Sequence, residues 1–203
     1  MHLQEIETGR IEVIIGGMFS GKTEELIRRL KRFQIARKKV QIFKPSLDIR
    51  YSTNEVVSHS GLRLQAHAVQ DSLELMNLVD PDTYVVGVDE VQFFDNQIPH
   101  IADCLANRGV TVILAGLDMD SSARPFGPIP DLICHAEQVT KLHAVCEVCG
   151  SPAQYSYRID DSKELIALGE KDRYKALCRK HYVIANKSIR VPKQGASVSG
   201  VIG

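Results

Sequence analysis

The sequence predicts an α/β chain: a mostly parallel sheet covered on both faces, followed by a small metal-binding unit. Short β-branched runs alternate with stretches of helical periodicity, the pattern of repeated strand–helix units. The first run leads directly into GGMFSGKT at 16–23, which fits the phosphate-loop pattern G-x-x-x-x-G-K-[ST]. Towards the other end, Cys146/Cys149 and Cys178/His181 form two ligand pairs of x₂ spacing, separated by residues 150–177.

Taken in order, Ile11 to Ile15 is short and β-branched and reads as a buried strand. The loop that follows, Gly16, Gly17, Met18, Phe19, Ser20, Gly21, Lys22 and Thr23, is expected to hold the phosphates of a nucleoside triphosphate. Glycines let the backbone turn successive N–H groups onto phosphate oxygens. Lys22 supplies a mobile cation for the β- and γ-phosphates, and the Thr23 hydroxyl can ligate Mg²⁺. KTEELIRRLKRFQIA then places Leu26, Ile27, Leu30 and Phe33 at helical spacing, so a helix N-terminus faces the anion.

KKVQIFKP reads as a second strand ending at Pro45. Residues 46–67 are polar and mixed, a loop or short hairpin beside the triphosphate. Ser72 to Val79 reads as a short helix capped by Asp71. Tyr84 to Val88 is a buried strand, Ile98 to Arg108 a helix stopped by Gly109, and Val110 to Ala115 another buried strand. Gln138 to Val145 leads into CEVCG. We therefore expect a nucleotide-binding unit over 1–145, a zinc-binding unit over 146–186 and a disordered Gly/Ser/Pro-containing tail over 187–203.

A phosphate loop binds but needs a metal partner and a base to react. The strand Tyr84 to Val88 ends in Asp89-Glu90, the Walker B arrangement of apolar residues followed by an acid. Asp89 at the strand end falls near the loop and its Mg²⁺. Glu90 points to the other side of the chain, placed to take a proton from an attacking hydroxyl or to orient a water. Those two roles lead to different reactions, transfer or hydrolysis, and Glu90 does not choose between them.

The two ligand pairs suit a tetrahedral Zn²⁺ with no open position, hence a structural ion. Such a site contributes on the order of 10 kcal/mol to ordering a small segment. Residues 150–177 are too few and too polar to fold on a core of their own. Cys104 and Cys134 read as packing cysteines. His59, His67, His100, His135 and His143 show no pairing pattern.

The 203 residues carry 25 basic and 25 acidic side chains, with 44% hydrophobic composition. Zero net charge gives no support for nucleic-acid or membrane partners, and no apolar run approaches the ~20 residues that span a bilayer. The charges of Arg28, Arg29, Lys31 and Arg32 are expected on a solvated helix face. MHLQEIETGR lacks the basic start and apolar core of a signal peptide, so a cytoplasmic location is expected.

In this order, GGMFSGKT, FKPSLDIRY, VGVDEVQFF, GLDMDSSARPFGP, CEVCG and LGEKDRYKALCRKH resemble the type II thymidine kinases, the human cytosolic kind found also in many bacteria. The resemblance covers residues 10 to about 185. It implies a RecA-like P-loop domain with a small zinc-bearing lasso domain, and phosphoryl transfer from ATP to the 5′-hydroxyl of thymidine with Mg²⁺, in nucleotide salvage. It also implies a homotetramer inhibited by dTTP.

By motif, the resemblance assigns Asp48 and Arg50 of LDIR to the phosphates, Asp89 with Thr23 to Mg²⁺, and Glu90 to the catalytic base, with Gln92 in the same DE-x-Q motif. Met18, Phe93 and Leu117 match positions lining the nucleoside pocket. Leu165, Ile166, Ala167, Leu168, Gly169 and Tyr174 match the lasso that clasps thymine, and Arg158 a basic position nearby. Departures are Ser121, where the family commonly has an aromatic that contacts the base, His181 as fourth ligand in place of cysteine, and Glu170 in place of the second lasso glycine. Ser121 leaves open a broader deoxynucleoside kinase. Outside the family, the alternative is a RecA-like ATPase acting on DNA with a zinc ribbon, which would need a basic groove.

Overall fold

The computed structural model describes residues 8–46, 55–57, 63–159 and 173–189. Its centre is a six-stranded sheet in the order β5-β2-β6-β7-β1-β8. These strands are β1 (Arg10–Gly16), β2 (Val40–Pro45), β5 (His67–Val69), β6 (Val85–Val88), β7 (Thr111–Gly116) and β8 (Gln138–Leu142). Every pairing between them is parallel, as β-branched runs joined by helical crossovers require.

Alternation along the central strands fills two cores. Ile11, Val13 and Ile15 of β1 pack with Leu75 of α2 (Ser72–Leu78), Ile98 and Leu105 of α3 (Ile98–Asn107), and Ile129 and Leu132 of α4 (Ile129–His135). Ile14, from the opposite face, packs with Leu26, Ile27 and Leu30 of α1 (Lys22–Ile35). Each such fully buried side chain contributes about 1.5–3 kcal/mol by leaving water. Gly87 lets α1 come close: a Cβ there would stand 2.6 Å from the Leu30 Cδ1.

The polar stretch around 46–67 contains the expected hairpin, with β3 (Glu55–Val57) antiparallel to β4 (Arg63–Gln65) among the described residues. The Asp71 side chain caps α2 as its sequence predicts, accepting from the Glu74 amide at 2.8 Å. Two strands begin one residue later than the sequence suggests, because Tyr84 and Val110 serve as lead-ins. Tyr84 is exposed and lies beneath the Lys38 ammonium, 4.3 Å from its ring centre. Helix α4 has no counterpart in the sequence reading. It is short and opens on Pro128-Ile129-Pro130, and proline fits the first helical turn, whose N–H groups have no partner within the helix.

Two expectations fail on burial. Arg29 is not on a solvated face: it is 9% exposed and bonds Glu12 at 2.7 Å beneath α1. Cys134 is exposed and does not serve as packing, whereas Cys104 is half-buried. A third, smaller cluster joins β9 (Ala144–Val145), β10 (Pro152–Ala153), β12 (Tyr174–Leu177) and α5 (Arg179–Ile189), with β11 (Tyr155–Arg158) paired to β12. Helix α5 runs past residue 186 to Ile189. The rest of the expected tail lies outside the described residues, and no helix among those described is long and apolar enough to cross a membrane.

Candidate functional site

The carboxyl ends of β1, β6 and β7 lie side by side, and each delivers a loop to the same edge of the sheet. From β1 comes the phosphate loop. Gly21, the N-cap of α1, is left-handed at φ 84 and brings no side chain to the helix N-terminus, where backbone amides favour an anion. Lys22 is buried and its Nζ donates to the Gly17 carbonyl at 2.9 Å. The Ser20 hydroxyl donates to the same carbonyl at 2.8 Å. Phe19 holds φ 64, a conformation that costs a bulky residue on the order of 1–3 kcal/mol and persists only where its surroundings hold it.

From β6 comes Asp89-Glu90. The Thr23 Oγ1 donates to Asp89 Oδ2 at 3.1 Å, so the expected pairing of loop hydroxyl and strand-end acid is present. Burial and then the neighbouring Glu90 charge push Asp89 up to about 7, against the opposing pull of Thr23 and Lys22. A carboxylate beside a hydroxyl is a hard oxygen pair that fits Mg²⁺. Glu90 is left-handed at φ 53, an uncommon conformation for a residue other than glycine. Its Oε2 accepts from Gln92 Nε2 at 2.5 Å.

From β7 comes Leu117, whose amide donates to Gln92 Oε1 at 3.0 Å. Gln92 is 2% exposed, and both ends of its amide are used inside the protein. Phe93 lies half-buried with its ring edge-on to Phe126, centroids 5.4 Å apart. Phe126 was not singled out from the sequence, although RPFGP places an aromatic close after Ser121. The Ser121 carbonyl accepts from the Tyr182 hydroxyl at 2.9 Å, which ties α5 to this loop.

The ligand pairs converge as their spacing predicts: the donor atoms of Cys146, Cys149, Cys178 and His181 all lie within 4.8 Å of one another. Cys146 closes a tight turn, its carbonyl accepting from the Gly150 amide at 2.8 Å with Gly150 at φ 73. Burial raises the Cys146 thiol, but the amides of Cys178, Val148 and Cys149 and the His181 ring outweigh it and bring it down to about 6. Three sulfurs and one imidazole, one of the thiols so readily ionised, are a donor set that fits Zn²⁺.

Of the lasso positions, Tyr174 and Arg158 pair across β11–β12, with the guanidinium 5.6 Å from the ring centre. Leu165, Ile166, Ala167, Leu168 and Gly169, and likewise Asp48 and Arg50, lie outside the described residues. The sequence also gave no notice of Ser156, whose hydroxyl accepts from the Met18 amide at 2.9 Å across a separation of 138 residues.

The family model described as thymidine kinase matches residues 9–182. A thymidine kinase of Porphyromonas gingivalis is 49% identical over 181 residues, covering 89% of this chain and 88% of that protein. One of Bacteroides thetaiotaomicron is 48% identical over 185 residues, covering 91% and 92% respectively. One of Rhodothermus sp. is 48% identical over 193 residues, covering 93% and 90%. With phosphate loop, strand-end acids and four-ligand cluster all inside the matched region, the chain belongs to the thymidine kinase family.

Proposed function

We propose that this chain transfers the γ-phosphoryl group of ATP to the 5′-hydroxyl of thymidine, giving dTMP and ADP, as a cytoplasmic enzyme of nucleotide salvage. The carrying observation is the meeting of the phosphate loop with Asp89 and Glu90 at one sheet edge. Donor phosphates lie along the amides of the loop and the first turn of α1, with Lys22 released from Gly17 to neutralise them. Asp89 and Thr23 would hold Mg²⁺, which when bound would offset the charge of the donor phosphates.

Glu90 accepts the proton of the 5′-hydroxyl. The 5′-oxygen bonds to the γ-phosphorus, the bond from that phosphorus to the β–γ bridging oxygen breaks, and its electron pair leaves with ADP. Met18, Leu117 and Phe93 line the nucleoside side, and Phe126 beside Phe93 supplies the aromatic wall that Ser121 does not. By the motif resemblance, Arg158, Tyr174 and residues 165–169 recognise the base, and Asp48 and Arg50 serve the phosphates. The Cys146, Cys149, Cys178 and His181 cluster holds a structural Zn²⁺ that frames this lasso domain. Assembly as a homotetramer and inhibition by dTTP complete the reading, on the strength of the motif resemblance.

The test is an ATP-dependent assay against each natural deoxynucleoside, with dTTP added. Thymidine is expected as the preferred acceptor, with turnover falling as dTTP rises. ATP hydrolysis without nucleoside phosphorylation would contradict the proposal.

A further inference from the structure

We propose that the four-ligand unit holds the phosphate loop in its working shape through Phe19 and Ser156, so that metal binding and nucleotide binding strengthen each other. This rests on the reading that the cluster takes Zn²⁺ and the loop takes ATP.

Three consecutive loop residues lean on the ligand-bearing unit. The Gly17 backbone lies so close that a Cβ on it would stand 3.0 Å from the Gln154 carbonyl oxygen. The Met18 amide is committed to the Ser156 hydroxyl, and Ser156 is itself 6% exposed. Phe19, in its left-handed conformation, packs against the cluster of Ala144, Cys146, Ala153, Ala176 and Leu177. That cluster is what seats an otherwise unfavourable backbone.

The same cluster reaches the ligands directly. Cys146 belongs to it, and Leu177 precedes Cys178. Ser156 lies opposite Ala176 across β11–β12, and the Ala176 carbonyl accepts from the Glu147 amide at 3.1 Å, one residue after Cys146. One strand therefore separates the metal ligands from the loop. Its buried members are mostly small, too little apolar volume to keep Phe19 seated once the ligands separate. Because coupling between two binding equilibria is reciprocal, nucleotide must retain the metal by the same factor that metal tightens nucleotide.

The experiment measures the zinc affinity of the full-length protein by equilibrium competition with a chromogenic chelator, with and without MgADP, and the Kd for MgADP before and after metal removal. Wild type is expected to bind zinc ~5-fold or more tightly with MgADP, and to bind MgADP ~5-fold or more weakly without zinc. Phe19→Ala should lose both effects, and the milder Ser156→Ala should reduce them. Lys22→Ala, which cannot hold the nucleotide, controls for chelation by ADP and should show no protection. A zinc affinity unchanged by MgADP in a wild-type protein that binds both would overturn the coupling. A protein that binds no zinc or no MgADP contradicts the underlying reading, and the coupling with it.

Discussion

Gln92 and Glu90 share a hydrogen bond of 2.5 Å between Nε2 and Oε2, while the other end of the Gln92 amide takes the Leu117 N–H. The glutamine thus anchors the Glu90 carboxylate to the end of β7. Packing leaves it little freedom: a Cβ on Gly116 would stand 2.7 Å from Gln92 Oε1. We predict that Gln92→Met, which keeps the volume and removes both hydrogen bonds, lowers kcat about 10-fold or more through misplacement of Glu90, the proposed base. The KM for ATP should change much less. In a Glu90→Gln background the same substitution should cost little further, and steady-state kinetics of the double-mutant cycle checks this.

Arg29 is the keystone of the α1–β1 contact. It bonds Glu12 at 2.7 Å, Glu25 at 2.8 Å and the Thr140 hydroxyl at 2.8 Å. Replacing it with alanine leaves Glu12, 4% exposed, with Arg10 as its one remaining ion-pair partner among the described residues. Arg29→Ala should destabilise the protein by about 3 kcal/mol, measured by urea denaturation.

Glu25 predicts a pH dependence. Hydrogen bonds first from Arg28 and then from Arg29, against some burial, hold its carboxyl down from 4.5 to about 2. A group with a depressed folded pKa adds stability that is complete above its unfolded pKa and disappears as pH falls through the folded one. The contribution of Glu25 should therefore be present at neutral pH and vanish between pH 4.5 and about 2. Denaturation curves of wild type and Glu25→Gln should converge across that window.

Metal analysis should find one zinc per chain, lost in Cys178→Ser. That variant should lose helix α5's anchorage first, seen as faster proteolysis after residue 173, since Cys178 and His181 open that helix.

Features written in contiguous residues were legible in the sequence. The phosphate loop, the strand-end acids and the ligand pairs each occupy a few neighbouring positions, and their chemistry dictates their spacing. The buried strands were legible because parallel sheets bury both faces. Arg29 was misplaced although it falls three residues after Leu26, on the apolar side of α1. Its partner Glu12, an acid inside a β-branched run, was the companion signal. Ser156 and Phe126 were invisible because their contacts depend on how distant loops meet, which no local pattern records.

If Glu90 takes the proton as thymidine attacks ATP, single-turnover formation of dTMP by Glu90→Gln, with MgATP affinity measured alongside, reads that role directly. Unchanged nucleotide binding and a loss of at least ~100-fold in the transfer rate are expected. Near-normal dTMP formation by that variant would contradict it.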